Sequence, residues 1–153
     1  MYKRFFIATL ALWLVTVVAA ATLFVRGSTA PGSDGRTAVV LAAAERDFIL
    51  GEMRGMLGAV QEITGALASG DRTGVARAAT AVGMTVDHGV PVALMAKLPL
   101  EFKQQGMAMH AGFDEIAAAA RRGDAVPALT GRLADQLSLC LGCHQSFRFS
   151  PSP

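Results

Sequence analysis

Cys140 and Cys143 are the only cysteines in the chain, and His144 follows directly. Two thiols on one helical turn can form thioethers to the two vinyl groups along one edge of a haem. The adjacent imidazole then points at the iron from the proximal side, which is why CxxCH is the attachment pattern of c-type haem. Three other chemistries use the same residue types. A thiol–disulfide redox pair prefers the start of a helix, whereas this pair stands near the end of the last helical pattern. A zinc site needs a fourth ligand at regular spacing, and His88 and His110 are the only other histidines. A structural disulfide forms in an oxidising compartment but has no need of the histidine. The reading taken forward is one haem c per chain, bound through Cys140 and Cys143, with His144 as proximal iron ligand.

Such a site needs helices to hold it, and four helical patterns precede or contain it, with no strand-like alternation. In the first, Ile49, Met53, Met56, Val60, Ile63 and Leu67 recur with spacings of 4, 3, 4, 3 and 4, a heptad seam that ends at Gly70. Asp71 or Thr73 can cap the second, which carries Val75, Ala78, Ala79 and Val82 and fades after Met84. A longer connection, Val86 to Pro99, leads to the third, with Phe102, Gly106, Met109, Phe113, Ile116 and Ala120, stopping at Gly123. Asp124 is the expected cap of the fourth, whose stripe is Val126, Leu129, Leu133, Leu137, Cys140, Leu141 and His144. Short first–second and third–fourth connections make antiparallel neighbours. The expected fold is all-α, an up-down-up-down four-helix bundle over residues 38–150.

The N-terminus is a separate matter. Lys3 and Arg4 precede Phe5–Val25, an uncharged run of 21 residues. As a helix at ~1.5 Å per residue it is about 31 Å long, enough to cross a hydrocarbon core. Residues 1–25 are therefore an export signal or an uncleaved transmembrane anchor; Ala19-Ala20-Ala21 is an acceptable cleavage site before Thr22. The leading positive charges keep that end in the cytoplasm and put the domain on the other side. Residues 26–37, rich in Gly, Ser and Pro, read as a flexible linker with no core of its own.

At 153 residues the chain is one domain beyond that segment. From Thr37 onward it carries 10 basic and 11 acidic residues, a net charge of −1, with no basic footprint of a nucleic-acid binder. The same stretch has no Trp, no Tyr and five Phe, few large aromatics for a core. A large planar apolar group in the middle of the bundle accounts for that shortage.

A bundle with CxxCH near its C-terminus, followed by an aromatic and a basic residue (Cys140-Leu-Gly-Cys143-His144-Gln-Ser-Phe147-Arg148), resembles the class II c-type cytochromes, which include cytochrome c prime and its low-spin c556-type relatives. The resemblance covers roughly residues 44–149. It implies that a first-helix side chain faces the iron opposite the histidine: a Met in low-spin members, an apolar group beneath a vacant site in high-spin ones. Met53 and Met56 both lie on the seam. Measured from the shared end of the bundle, His144 lies 19 residues down, Met53 16 and Met56 13, or ~29, ~24 and ~20 Å. Met53 is the expected distal ligand and Met56 the alternate; both can also be flexible core fillers. His110 is a poor match by the same measure, and His88 sits in the connection. Met84, Phe102, Gln105 and Gly106 are expected pocket walls. Arg148, read as one turn past His144, is either a partner for a haem propionate or a solvated cation at a helix end. Gly51, Gly55, Gly58 and Gly65 lie off the seam; they either permit the close homodimer contact through that helix that the resemblance implies or are tolerated exposed glycines.

The expected function is electron transfer by a monohaem cytochrome, with redox proteins as partners and no enzymatic constellation, in the bacterial periplasm and tethered to the inner membrane if the N-terminal helix is retained. Two rivals stay open: a five-coordinate haem protein binding nitric oxide or carbon monoxide, and a haem-free thiol–disulfide protein.

Overall fold

The computed structural model describes residues 2–86 and 88–151. Among these, six helices and three short strands follow one another as α1 (Tyr2–Arg26), β1 (Thr29–Pro31), β2 (Thr37–Leu41), α2 (Ala43–Ser69), α3 (Arg72–Thr80), α4 (Val92–Lys97), α5 (Leu100–Arg121), α6 (Val126–Ser146) and β3 (Phe147–Pro151). The protein is mostly helical, with an apolar helix at its N-terminus.

That first helix is long and apolar enough to cross a membrane, and none of its residues is buried by the rest of the chain. Its three threonine side chains satisfy themselves locally. The hydroxyls of Thr9, Thr16 and Thr22 donate to the carbonyls of Phe5, Leu12 and Val18 at 3.0, 2.9 and 2.7 Å. Those three hydroxyls therefore present no unbonded donor to the hydrocarbon.

The termini of the next helices follow from local chemistry. The Glu45 carboxylate reaches back to the N–H of Ala42 at 2.9 Å and takes Lys97 Nζ at 2.6 Å, so it fixes the start of α2 and ties α4 to it. Gly70, at φ 71°, ends α2 in the left-handed region that glycine adopts without strain. Asp71 caps α3, accepting from the N–H of Gly74 at 2.9 Å. Helix α3 is short and small-residued, and its buried Val75, Ala78 and Ala79 let it lie close between α2 and α5. Helix α5 packs on α6, and α2 meets α6 more sparsely.

Two clusters of buried side chains result. The larger joins Ile63 and Leu67 of α2, Val75 and Ala79 of α3, Met109, Phe113 and Ile116 of α5, and Leu129 and Leu133 of α6. The smaller lies toward the other end and joins Val39, Leu41, Ile49, Leu94, Leu98, Phe102 and Phe147.

Several expectations need correction. A three-stranded sheet is present, in the order β1-β2-β3, with β1 and β2 antiparallel and β2 and β3 parallel. Thr37-Ala-Val-Val-Leu41 is a short β-branched run, and Phe147-Arg-Phe-Ser-Pro151 alternates. Each alone is too short to announce a strand, and they pair across more than a hundred residues, Thr37 opposite Phe147. The segment read as a flexible linker therefore contains β1 and a turn bonded into the domain. Helix α6 stops at Ser146, so Arg148 lies on β3 and not one helical turn past His144. The long connection before α5 holds α4. Asp124 does not cap α6: that position is Ala125, without a side-chain bond, and Asp124 instead pairs with Arg122 and Arg132.

Candidate functional site

Helix α6 carries Cys140, Cys143 and His144 on its last two turns, and what surrounds them is set by three other elements. A cleft of about 210 Å³ opens beside them, lined by Arg36, Leu50, Met53, Phe102, Cys143, His144, Phe147, Arg148 and Phe149. Three of the five phenylalanines of the domain meet there. Phe102 stands edge-on to Phe147 at 5.4 Å between ring centroids and tilted to Phe149 at 6.0 Å.

The cleft lies where the core is interrupted. On α2, Ile49 below and Ile63 above are buried, while Met53, Met56 and Val60 between them are only half-buried. Met53 packs on the smaller cluster and Met56 on the larger. The same division runs through α6: Cys140 packs on the larger cluster and Cys143 on the smaller. On α5 it falls between Phe102 and Met109, at Gln105 and Gly106, both half-buried. Among the described residues the Oε1 of Gln105 is buried without a partner, and a Cβ added at Gly106 would meet open space.

Cys140 is positioned from α5. The Nε2 of buried Gln136 donates to the Met109 carbonyl at 2.6 Å and touches its sulfur at 2.8 Å, and Cys140 Sγ lies 3.6 Å from the same sulfur. Gly112 makes this crossing possible, since a Cβ there would collide with the Gln136 amide. Burial raises the pKa of both thiols; for Cys143 the charges of Cys140 and Glu101 add to it. A helix C-terminus also disfavours a thiolate. This is the reverse of the electropositive setting that activates a redox thiol.

The end of α6 is clamped by a residue that the sequence pattern did not single out. Arg36 Nη1 donates to the carbonyls of His144 at 3.1 Å and Phe147 at 3.3 Å, groups that a helix end otherwise leaves unpaired. Asp34 holds Arg36 in turn, accepting from its Nε at 2.9 Å and Nη2 at 2.6 Å. Arg148 Nη1 reaches Ser33 at 3.1 Å and Asp34 at 3.4 Å. Two guanidinium groups thus stand at the cleft, bridged by one carboxylate. No family model, curated protein or solved structure matches the chain.

Of the residues singled out from sequence, Met53, Phe102, Cys143, His144 and Arg148 share the cleft lining, with Cys140 one turn along α6. Met56, Gln105 and Gly106 lie at the break but not on that lining. Met84 is half-exposed, its N–H bonded to Asp114 at 2.8 Å, and stands away from the cleft. The rings of His88 and His110 meet at 4.2 Å between centroids, tilted by 40°. His88 is held by Glu52 at 2.8 Å and the Gly83 carbonyl at 3.0 Å, and His110 bonds the Val82 carbonyl at 2.8 Å. Gly55, Gly58 and Gly65 face open space on α2. Among the described residues, no three His, Cys, Asp or Glu side chains converge as a metal-ion site.

The Asp34 bridge carries a prediction. Its hydrogen bonds from Arg36 hold the carboxyl down at about 2, from an ordinary 3.8. A depressed carboxylate contributes above its unfolded value and loses that contribution as the pH falls through the folded one. The clamp is therefore expected to be intact at pH 4 and above (~4 being the unperturbed range) and to open as the pH approaches about 2. Following the Asp34 carboxyl carbon by NMR across acid pH measures this, and Arg36→Ala should bring the midpoint back up toward 3.8.

Proposed function

We propose that this protein is a monohaem c-type cytochrome that carries electrons, with its domain across the membrane from the cytosol and α1 as its tether. In this reading α2, α3, α5 and α6 are the four helices of an up-down-up-down bundle of the class II cytochrome kind. The single observation that carries it is the interruption of the core at the CxxCH turn: one cysteine borders each cluster, and Met53 and His144 line the same cleft. A planar apolar group fits a gap walled by Phe102, Phe147 and Phe149 far better than water does, because those rings gain contacts only against another apolar surface. The unpartnered Gln105 Oε1 beside the gap marks a place where polar satisfaction is incomplete within the chain itself.

Each residue then has a role. Cys140 and Cys143 would form the thioethers, His144 the proximal bond and Met53 the distal one. When bound, the haem supplies reversible one-electron chemistry at its iron. The chain contributes the rest. The three phenylalanines exclude water from one side of the cleft, which disfavours the more charged oxidised state. Arg148, bonded through Nη1 alone in the contacts above, presents guanidinium donors suited to a carboxylate of a haem edge, while Arg36 is taken up by Asp34 and the helix end. The clamp from Arg36 to the His144 carbonyl fixes the helix end that aims the imidazole. Neutral, partly buried thiols argue against the thiol–disulfide alternative.

One purified sample tests the proposal. The haem is expected to stay with the polypeptide in acidified acetone, and the ferrous protein to show a low-spin absorption spectrum. Extraction of the haem into the solvent, or its absence, overturns the attachment. A high-spin ferrous spectrum that changes at once under carbon monoxide replaces electron transfer with gas binding.

A further inference from the structure

The residues that follow α1 form no free tether. Lys103 of α5 is 6% exposed, and its ammonium has two partners, both from one residue of α1. It donates to the Phe24 carbonyl at 3.0 Å and lies 3.6 Å over the centre of the Phe24 ring. A cation at a helix C-terminus meets the negative end of the dipole and an unpaired carbonyl. A buried charge is retained only where such partners are built in. The next residues are also seated. Gly27, at φ 60°, lies so close to the backbone of Lys97, Leu98 and Pro99 that a Cβ would collide with it. Ser28 donates its N–H to the Lys97 carbonyl at 2.7 Å and accepts from the N–H of Val40 at 2.8 Å, and β1 begins immediately after.

We infer that α1 is a retained membrane anchor joined rigidly to the domain, so that the α4–α5 corner around Lys97–Lys103 rests against the lipid surface and the cleft is held close to it. The occupant of that corner is the bilayer. Helix α1 is about 37 Å long at 1.5 Å per residue, so its last turn sits at the edge of a hydrocarbon core of ~30 Å. Phe102 lines the cleft and Lys103, its neighbour in the chain, grips that last turn. The cleft therefore lies within about one helix diameter, ~10 Å, of the point where the anchor leaves the membrane. What passes through the cleft rests on the cytochrome reading; the junction itself does not.

Trypsin tests the junction, because Arg26 offers it a bond at Gly27. The full-length chain is placed in phosphatidylcholine vesicles, and release of the outward-facing domain with a new N-terminus at Gly27 is timed. Wild type should resist. Lys103→Ala and Gly27→Ala, which disturb the junction from opposite sides, should each be released about tenfold faster, since cleavage of a seated segment follows its local opening. Gly58→Ala, on an open face of α2, should match wild type. Circular dichroism checks that each variant keeps its helix content. The inference falls if folded Lys103→Ala and Gly27→Ala are cut no faster than wild type, or if the chain recovered from cells begins at or after Thr22. None of these measurements involves haem, so they bear on the tether and its junction and leave the cytochrome reading of the cleft to its own test.

Discussion

Met53→Ala is expected to give a ferrous protein that is high-spin and takes up carbon monoxide at once, whereas Met56→Ala should keep the low-spin spectrum of wild type. The two methionines are one turn apart on the same helix, and their surroundings separate them. Met53 lines the cleft with Cys143 and His144 and packs on the cluster that contains Phe102 and Phe147. Met56 packs on the other cluster, with Ile63 and Met109. On the proposed cytochrome reading, Met53, which shares the cleft lining with His144, is the one that would supply the thioether. A thioether ligand favours ferrous iron and occupies the position that an exogenous ligand needs. It also keeps coordination unchanged between redox states, so little of the chain must move when an electron passes. Truncating a core methionine costs about 2–5 kcal/mol, and both are half-buried here, so the lower part of that range is expected. Folding is checked by thermal unfolding before any spectrum is compared. A Met53→Ala protein that stays low-spin would remove Met53 from the coordination sphere; a spin change in Met56→Ala alone would move the ligand by one turn and leave the fold reading intact.

Phe147→Ala should destabilise the domain by about 3–5 kcal/mol in urea unfolding, the range for a buried Phe, and Phe149→Ala by clearly less. Phe147 is 7% exposed, belongs to the smaller cluster and stands edge-on to Phe102. Phe149 is half-buried and reaches Phe102 at a longer distance. The smaller cluster has few members, so loss of one ring leaves a cavity that its neighbours cannot refill. The change also removes a wall of the cleft while leaving both cysteines and His144 in place. A loss within ~0.5 kcal/mol, the size of an ordinary surface change, would mean that β3 contributes little and that the cleft is closed mainly by α2 and α5.

The apolar N-terminal run, the ends of α2 at Gly70 and of α5 before Gly123, and the burial of Ile49, Ile63, Leu67, Leu129 and Leu133 are all legible from composition and periodicity. Each depends on residues within a few turns of one another, and a helix records its buried face every three or four positions. The CxxCH motif is legible for the same reason, since its geometry is local to one turn. Composition and local spacing are thus enough to specify an apolar leading helix, a largely helical domain and one turn of concentrated chemistry near its end.

The tertiary structure alone decided what surrounds that turn. Arg36 gave no sign of its role, because it lies in a Gly- and Ser-rich stretch and meets the His144 carbonyl only after a return of more than a hundred residues. The β2–β3 pairing is equally non-local, and strands of five residues carry too few alternations to stand out in a largely helical chain. Arg148 reads as helical because no glycine or proline directly after Ser146 interrupts the pattern, and pairing with β2 draws it out of that helix. Lys103 reads as an ordinary surface lysine on α5 until Phe24 covers it. Periodicity reports which face of an element is buried; it does not report which distant backbone carbonyl or ring will meet a cation, because that depends on where the chain returns in space.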